Sequence, residues 1–212
     1  MDVRGVRRAY EREALDEGSV PQDPMELFGT WLQDALSAEV LEPTAMTLAT
    51  VGEQGQPSAR MVLLKGFGPR GFSFYSNYAS RKGRELAGNP RAALVFWWDQ
   101  LERQVRVEGT VVRLEREESA EYFRSRPRGS QLGAFASPQS QPIASREELA
   151  ALVRQVSLRY PEGEVPLPEN WGGYLVRPAA IEFWQGRPDR LHDRFRYTLE
   201  SDGAWQWQRL AP

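Results

Sequence analysis

The residues best suited to chemistry lie in one run, Phe183–Phe195, which reads F-W-Q-G-R-P-D-R-L-H-D-R-F. It contains the protein's one histidine, His192, between Arg190 and Arg194, with Asp189, Asp193 and Trp184 close by. Gly186 and Pro188 mark a bend, so these polar side chains are predicted on a loop between two strands. If the flanking chain is extended, Arg190, His192 and Arg194 point to one side at period two. Two guanidiniums and an imidazole aimed together suit an anionic or electron-rich ligand. A surface loop laced with Arg–Asp pairs has the same composition, so the rest of the chain must decide between the two.

Other stretches add polar groups in recognisable settings. Arg60–Lys65 (R-M-V-L-L-K) reads as a strand with a cation at each end. The odd interval sends the two cations to opposite faces, giving one site per face or a strand that meets its ligand end-on. Ser76–Lys82 (S-N-Y-A-S-R-K) runs from a strand into a helix N-terminus. Amide N–H groups, hydroxyls and two cations there are the ingredients of a phosphate site, and equally of an ordinary capped helix. The glycine spacing of a P-loop or dinucleotide fingerprint is absent, which favours a mononucleotide phosphate or other monoester over a nucleoside triphosphate. Gln104 and Arg106 share one face of a long predicted strand, where Gln104 could bond a flat heterocycle or simply face water. Tyr122, Arg126 and Ser130 are spaced by four, and Pro127 disfavours helix at Arg126, so this trio is predicted to straddle a helix end and the following loop. Gln139 and Ser140 say nothing alone.

Composition narrows the classes. A net charge of −2 supplies no basic field for nucleic acid. With no cysteine there is no disulfide, thiolate metal site or cysteine nucleophile, and a lone histidine argues against a histidine-based metal site. Of the 27 Lys plus Arg, only Lys65 and Lys82 are lysine, places where a compact ammonium could serve better than a planar fork. No stretch looks like a signal peptide or membrane span, so a soluble, cytoplasmic protein is expected. At 212 residues the chain can bury a substantial core.

The elements that must position these groups can be read in order. Residues 1–22 are expected to be a flexible basic arm and linker, with Arg4–Tyr10 either a frayed terminus or a flap over an anionic site. A helix follows Asp23, with Pro24 at its first position and Leu27, Phe28, Trp31, Leu32, Ala35 and Leu36 as its apolar face. Strands are predicted over Ala45–Val51, Ser58–Leu64, Gly71–Ser76, Arg91–Trp98 and Leu101–Leu114, with a short helix from Ser80 to Gly88. Helices are predicted over Glu117–Ser125 and Ser145–Arg159, the second presenting Leu149, Leu152, Val153 and Val156 inward. Strands return over Gly172–Val176, Ala180–Gln185, Arg194–Glu200 and Trp205–Leu210, the last two a hairpin across Asp202–Gly203. Short connections mean antiparallel neighbours, hence a mainly β (α+β) closed structure with peripheral helices, taken as one domain over 1–212.

In this order the motifs resemble the pyridoxamine/pyridoxine 5′-phosphate oxidase family. The matching runs are R-M-V-L-L-K, F-Y-S-N-Y-A-S-R-K, L-E-R-Q-V-R-V-E-G, Y-F-R-S-R-P-R-G-S-Q, E-V-P-L-P-E-N-W-G-G-Y, I-E-F-W-Q-G, R-L-H-D-R-F and the final R-L-A-P, from about Arg7 to Pro212. Ser76 stands where the family often has threonine, and the arm before Arg7 is short. The resemblance implies an antiparallel FMN-binding split barrel that works as a homodimer with flavin sites at the interface. FMN contacts would be Arg60, Met61, Val62, Leu63, Leu64, Lys65, Tyr75, Ser76, Arg81, Lys82, Gln104, Gln139, Ser140, Trp184 and Arg194. Lys65, Tyr122, Arg126 and Ser130 would hold the substrate phosphate. Arg190, Leu191 and His192 would meet the pyridine ring, with Arg190 and His192 as the catalytic candidates, and Arg7, Arg8, Ala9 and Tyr10 could close over it. The implied reaction is oxidation of pyridoxamine or pyridoxine 5′-phosphate to pyridoxal 5′-phosphate, with hydride passing from C4′ to the flavin and dioxygen ending as hydrogen peroxide.

Overall fold

A computed structural model describes residues 2–3, 5 and 9–212. Helix α1 (Pro24–Ser37) starts where the cap signal places it: the Asp23 carboxylate accepts from Met25 N–H at 2.8 Å. Its buried stripe is Leu27, Phe28, Trp31, Leu32 and Ala35. Leu36, expected on this stripe, is 50 % exposed; at about 100° per residue it lies furthest round from the stripe's centre. Phe28 meets Phe67, Phe72 and Phe96 edge-on with centroids 4.9–5.0 Å apart, which seats α1 over the end of the sheet.

Among the described residues the sheet has nine strands, every pair antiparallel: β1 (Ala45–Val51), β2 (Pro57–Leu63), β3 (Gly66–Gly68), β4 (Gly71–Asn77), β5 (Arg91–Trp98), β6 (Arg103–Arg113), β7 (Trp171–Gln185), β8 (Asp193–Leu199) and β9 (Trp205–Arg209). The order is β2-β1-β5-β6-β7-β4-β3, with β8 and β9 continuing from β7. Alternation buries one face of each central strand, as with Leu94, Phe96 and Trp98 on β5 and Val105 and Val107 on β6. The sheet curls until Lys65 N–H donates to Ser73 O at 2.8 Å, bringing the end of β2 against β4.

Strand β7 explains the split. The two strands predicted over 172–176 and 180–185 form one strand of 15 residues. Its Phe72-to-Asn77 partner β4 pairs only with Trp171–Val176, while β8 pairs only with Ala180–Gln185 along the same edge. Between them stands Pro178, which has no N–H to give a ladder. On the other edge β6 runs past this point and absorbs the irregularity in a bulge at Glu108/Gly109. Gly109 is required there, since a Cβ would lie 2.1 Å from Arg177 O.

Helix α2 (Arg81–Gly88) is capped by Ser80, whose hydroxyl accepts from Gly83 N–H at 3.3 Å. Helices α3 (Arg116–Ser125) and α4 (Arg128–Ala136) meet at Arg126–Pro127, and α5 (Arg146–Arg159) packs on α4. Neither α4 nor the short β3 is visible in the sequence pattern. The α5 residues expected to face inward, Leu149, Leu152, Val153 and Val156, are only half-buried, because α5 rests on α4 and not on the barrel. A second small core of Phe123, Leu132, Val165 and Trp171 fixes α3 and α4 to the start of β7. Among the described residues no helix is long and apolar enough to cross a membrane.

Candidate active site

A cleft of about 770 Å³ opens between β2, β4, the start of α2 and the α3–α4 corner. Arg60 and Lys65 both line it, against the opposite-face expectation. The parity fails because β2 ends at Leu63; Leu64 N–H turns to Thr44 O and Lys65 N–H to Ser73 O, so the chain is no longer a flat strand between them. Met61, Val62 and Leu63 also line the cleft, whereas Leu64 is buried in the core and can offer it no side chain.

At one end the cleft is built by α2. Lys82 is buried, and its ammonium donates to Ser76 Oγ (2.9 Å), Ser80 Oγ (3.3 Å) and Gln139 Oε1 (3.3 Å), with no carboxylate among these partners. Burial, and then the neighbouring Arg60 charge, lowers its pKa from the usual lysine range. Arg60 donates to Leu48 O at 3.1 Å and pairs with Glu85 at 3.2 Å. Glu85 also takes hydrogen bonds from the hydroxyls of Thr50 and Ser58 and from Arg81 Nε at 2.9 Å. Burial pushes its carboxyl up, but these donors and Arg60 outweigh it and hold the pKa at about 2. Arg81 is 58 % exposed and does not line the cleft; nor does Ser140, which stands in left-handed backbone (φ 68) beside Gln139.

The other end is aromatic and cationic. Tyr75 and Tyr122 stack at 4.0 Å, and Trp171 lies nearly parallel to both. Arg126 spreads over the Trp171 ring at 4.7 Å, and its buried Nη1 has no partner among the described residues. Burial lowers the guanidinium's pKa, with Tyr122 opposing. Gln131, missed in the sequence, sets this corner: its amide donates to the carbonyls of Phe123, Arg124 and Arg126 at 3.0–3.1 Å. Ser130 is in the first turn of α4 and not in a loop, and Lys65, Tyr122, Arg126 and Ser130 all line the cleft.

The remaining candidates form a second group away from this cleft. Cross-strand register puts Trp97, Gln104, Trp184 and Arg194 in one row over β5, β6, β7 and β8, on the face opposite the core. Arg194 pairs with Glu182 at 3.0 Å and donates to Ala211 O at 2.7 Å. His192 lies 4.5 Å from Trp184, ring to ring, and Tyr10 of the arm meets both edge-on at 5.7 Å. His192 Nδ1 accepts Arg187 N–H at 3.1 Å, so the neutral ring carries its proton on Nε2. Burial and then Arg190 lower its pKa, with Asp193 opposing. The expected alternation of Arg190, His192 and Arg194 does not hold, because Asp189 and Arg190 take left-handed backbone (φ 55 and 63). Arg190 and Leu191 are exposed, as is Ala9; Arg7 and Arg8 lie outside the described residues. The arm is nevertheless tied down nearby, with Glu11 and Arg12 N–H donating to the Glu102 carboxylate. Trp171 of the cleft and Trp184 of the second group mark opposite ends of β7, roughly 40 Å apart along a strand at the usual rise.

Residues 32–160 match the pyridoxamine 5′-phosphate oxidase family, and residues 171–212 match the pyridoxine 5′-phosphate oxidase C-terminal dimerisation region. The chain is 54 % identical over 212 residues to the pyridoxine/pyridoxamine 5′-phosphate oxidase of Bordetella petrii, covering 100 % of both chains. It is 56 % identical over 209 residues to that of Salinibacter ruber, covering 98 % of this chain and 97 % of the other. Among solved structures it is similar to PhzG from Burkholderia lata in complex with tetrahydrophenazine-1-carboxylic acid (TM-score 0.88, 31 % identity, 95 % and 100 % of the two chains). A pyridoxamine 5′-phosphate oxidase-related, FMN-binding protein from Nostoc punctiforme shares the fold at TM-score 0.74 and 15 % identity, covering 91 % and 100 %. With the split barrel described above and relatives matched end to end, the chain belongs to the pyridoxamine 5′-phosphate oxidase family.

Proposed function

We propose that this chain is a cytoplasmic, FMN-dependent oxidase that converts pyridoxamine 5′-phosphate and pyridoxine 5′-phosphate to pyridoxal 5′-phosphate, with dioxygen as acceptor. One observation carries the reading: a single cleft, which Lys65 also lines, holds Lys82 with Arg60 at one end and Arg126 at the other, joined by the flat wall of Tyr75, Tyr122 and Trp171. Among the described residues the buried Lys82 ammonium has no carboxylate partner and Arg126 Nη1 no partner, and both are costly unless an anion completes them. Two phosphates, one of the flavin and one of the substrate, fit these ends, and the single 1–212 domain is organised to present them.

The donor set suits FMN. Lys82, Ser76, Arg60 and Gln139 would hold its phosphate, with Arg81 and Ser140 at the margin. Bound FMN supplies the acceptor for the hydride leaving substrate C4′ and the route for electrons to dioxygen. Lys65, Tyr122, Arg126 and Ser130 fix the substrate phosphate and so align the ring. Gln104, Trp184, Arg190, Leu191, His192 and Arg194 do not line the cleft of their own chain, and their row crosses β7 at the end opposite Trp171. They serve it in a homodimer, each protomer lending this group to its partner's cleft; the match of 171–212 to a dimerisation region supports this. There Arg190 orients the ring and its substituents, neutral His192 offers an Nε2–H donor, and Tyr10 with its neighbours covers the site.

Oxygen uptake by the FMN-loaded protein tests the reading. Pyridoxamine 5′-phosphate is expected to drive uptake with hydrogen peroxide as product, and phosphate-free pyridoxamine to be far poorer. Absence of uptake, or equal rates with both amines, rejects it.

A further inference from the structure

Glu85 is out of place in a site built for a phosphate. It is buried, with 9 % of its side chain exposed, and it carries a negative charge beside Arg60 and Arg81, on the helix that also bears Lys82. Its contacts show what it does. Oε2 accepts from Thr50 Oγ1 (2.5 Å), Ser58 Oγ (2.7 Å) and Arg60 Nη2 (3.2 Å), while Oε1 accepts from Arg81 Nε (2.9 Å). Thr50 and Ser58 are direct partners across β1 and β2, and both hydroxyls also accept from Arg60. The carboxylate thus ties α2 to the β1–β2 ladder through hydroxyls and cations that converge on it.

We infer that Glu85 is a positioning residue for the cofactor: it does not touch the phosphate but fixes the guanidinium of Arg60, which lines the cleft, and that of Arg81 at the cleft's margin. This rests on the FMN reading above. The consequence has a sign that separates it from simple electrostatics. Glu85→Gln keeps the shape and removes the negative charge, so a Coulombic neighbour effect alone would tighten phosphate binding. A carboxamide, however, has one acceptor oxygen and turns an N–H donor toward groups that are themselves donors. If Glu85 positions the arginines, the substitution loosens phosphate binding despite the more positive site.

The experiment compares the affinities of the apoprotein for FMN and for riboflavin, which has the same ring system and no phosphate, by quenching of flavin fluorescence. The wild type is expected to prefer FMN. In Glu85→Gln the FMN-to-riboflavin affinity ratio is expected to fall at least tenfold, with riboflavin affinity changed by less than about twofold. A ratio that rises shows a charge effect only, and one that stays constant, including an equal loss for both ligands, shows general structural support; each overturns the inference. Should Glu85→Gln fail to fold, Ser58→Ala decides: at this half-buried position outside the cleft, losing one tether of the carboxylate is expected to lower the ratio at least threefold, and no change overturns the inference. A wild type without preference for FMN would overturn the phosphate-site reading together with this one, whereas a clear wild-type preference left intact in the variants overturns this one alone.

Discussion

Arg126 is the residue at which binding and stability should separate most cleanly. Its guanidinium lies over Trp171 and Phe123, and its buried Nη1 has no hydrogen-bond partner among the described residues. Substitution by Met, which keeps an unbranched side chain over the rings, loses a cation–π contact worth roughly 0.5–2 kcal/mol. It also relieves a buried, unsatisfied donor that costs roughly 1–3 kcal/mol. The two nearly cancel, so the melting temperature of Arg126→Met is expected to stay within about 4 °C of wild type. With the phosphorylated amine bound, the wild-type guanidinium gains its missing partner, a charge-assisted bond worth roughly 1.5–3 kcal/mol. Its loss should lower kcat/KM for pyridoxamine 5′-phosphate by about 10- to 150-fold. The same ratio for phosphate-free pyridoxamine should barely move, because that substrate never meets Arg126 in this way. Steady-state oxygen uptake with both amines, beside thermal unfolding, reads all three quantities. A loss under threefold with the phosphorylated amine, or an equal loss with both, would refute the assignment of Arg126 to the substrate phosphate.

Two further outcomes follow from the geometry. His192 has its pKa lowered in the fold, by burial first and then by Arg190, below the ordinary value near 6.5. The opened loop therefore takes up the proton first, and the loop's stability is intact above that ordinary value and declines as pH falls below it. Since a proton on Nδ1 would displace Arg187 N–H, hydrogen exchange at Arg187 should lose protection between pH 7 and 5. His192→Phe should show no such step, and a flat wild-type profile would contradict the assignment. At Gly83 an added Cβ would stand 2.2 Å from Tyr78 O, a backbone atom that cannot swing aside. Gly83→Ala should cost roughly 1–3 kcal/mol and weaken FMN binding by shifting Lys82, whereas Gly129→Ala, in the first turn of α4 with nothing within 4 Å of its added Cβ, should stabilise by about 0.5–1 kcal/mol. Chemical denaturation and flavin titration of the two variants check the contrast.

How much of this was legible in the sequence depends on whether the deciding interaction was local. The cap at Asp23, the cap at Ser80 and the bounds of β5, Arg91–Trp98, are set by residues within a few positions of one another, and the sequence reading places them correctly. Period-two reasoning fails where the backbone leaves the extended region, as at Leu64–Lys65 and at Asp189–Arg190, because the facing of a side chain is then fixed by the turn and not by parity. Pro178 misleads in the opposite sense: it looks like a strand break, yet β6 pairs on both sides of it, and the missing N–H is spent at the one place where β7 changes neighbours from β4 to β8. Helix α4 escapes detection because Pro127 and Gly129 look like loop residues, while the group that secures the corner, Gln131, acts through three carbonyls upstream. Glu85 was half visible, since Arg81 and Glu85 stand at helical spacing and could have been paired. Its bonds to Thr50, Ser58 and Arg60 arise only when β1 and β2 are laid beside α2. The row of Trp97, Gln104, Trp184 and Arg194 is the extreme case, since no spacing in the chain relates its members and only the register of four strands aligns them. The same alignment holds these residues at the far end of β7 from Trp171, so the proposed site draws on them through a second copy of the chain.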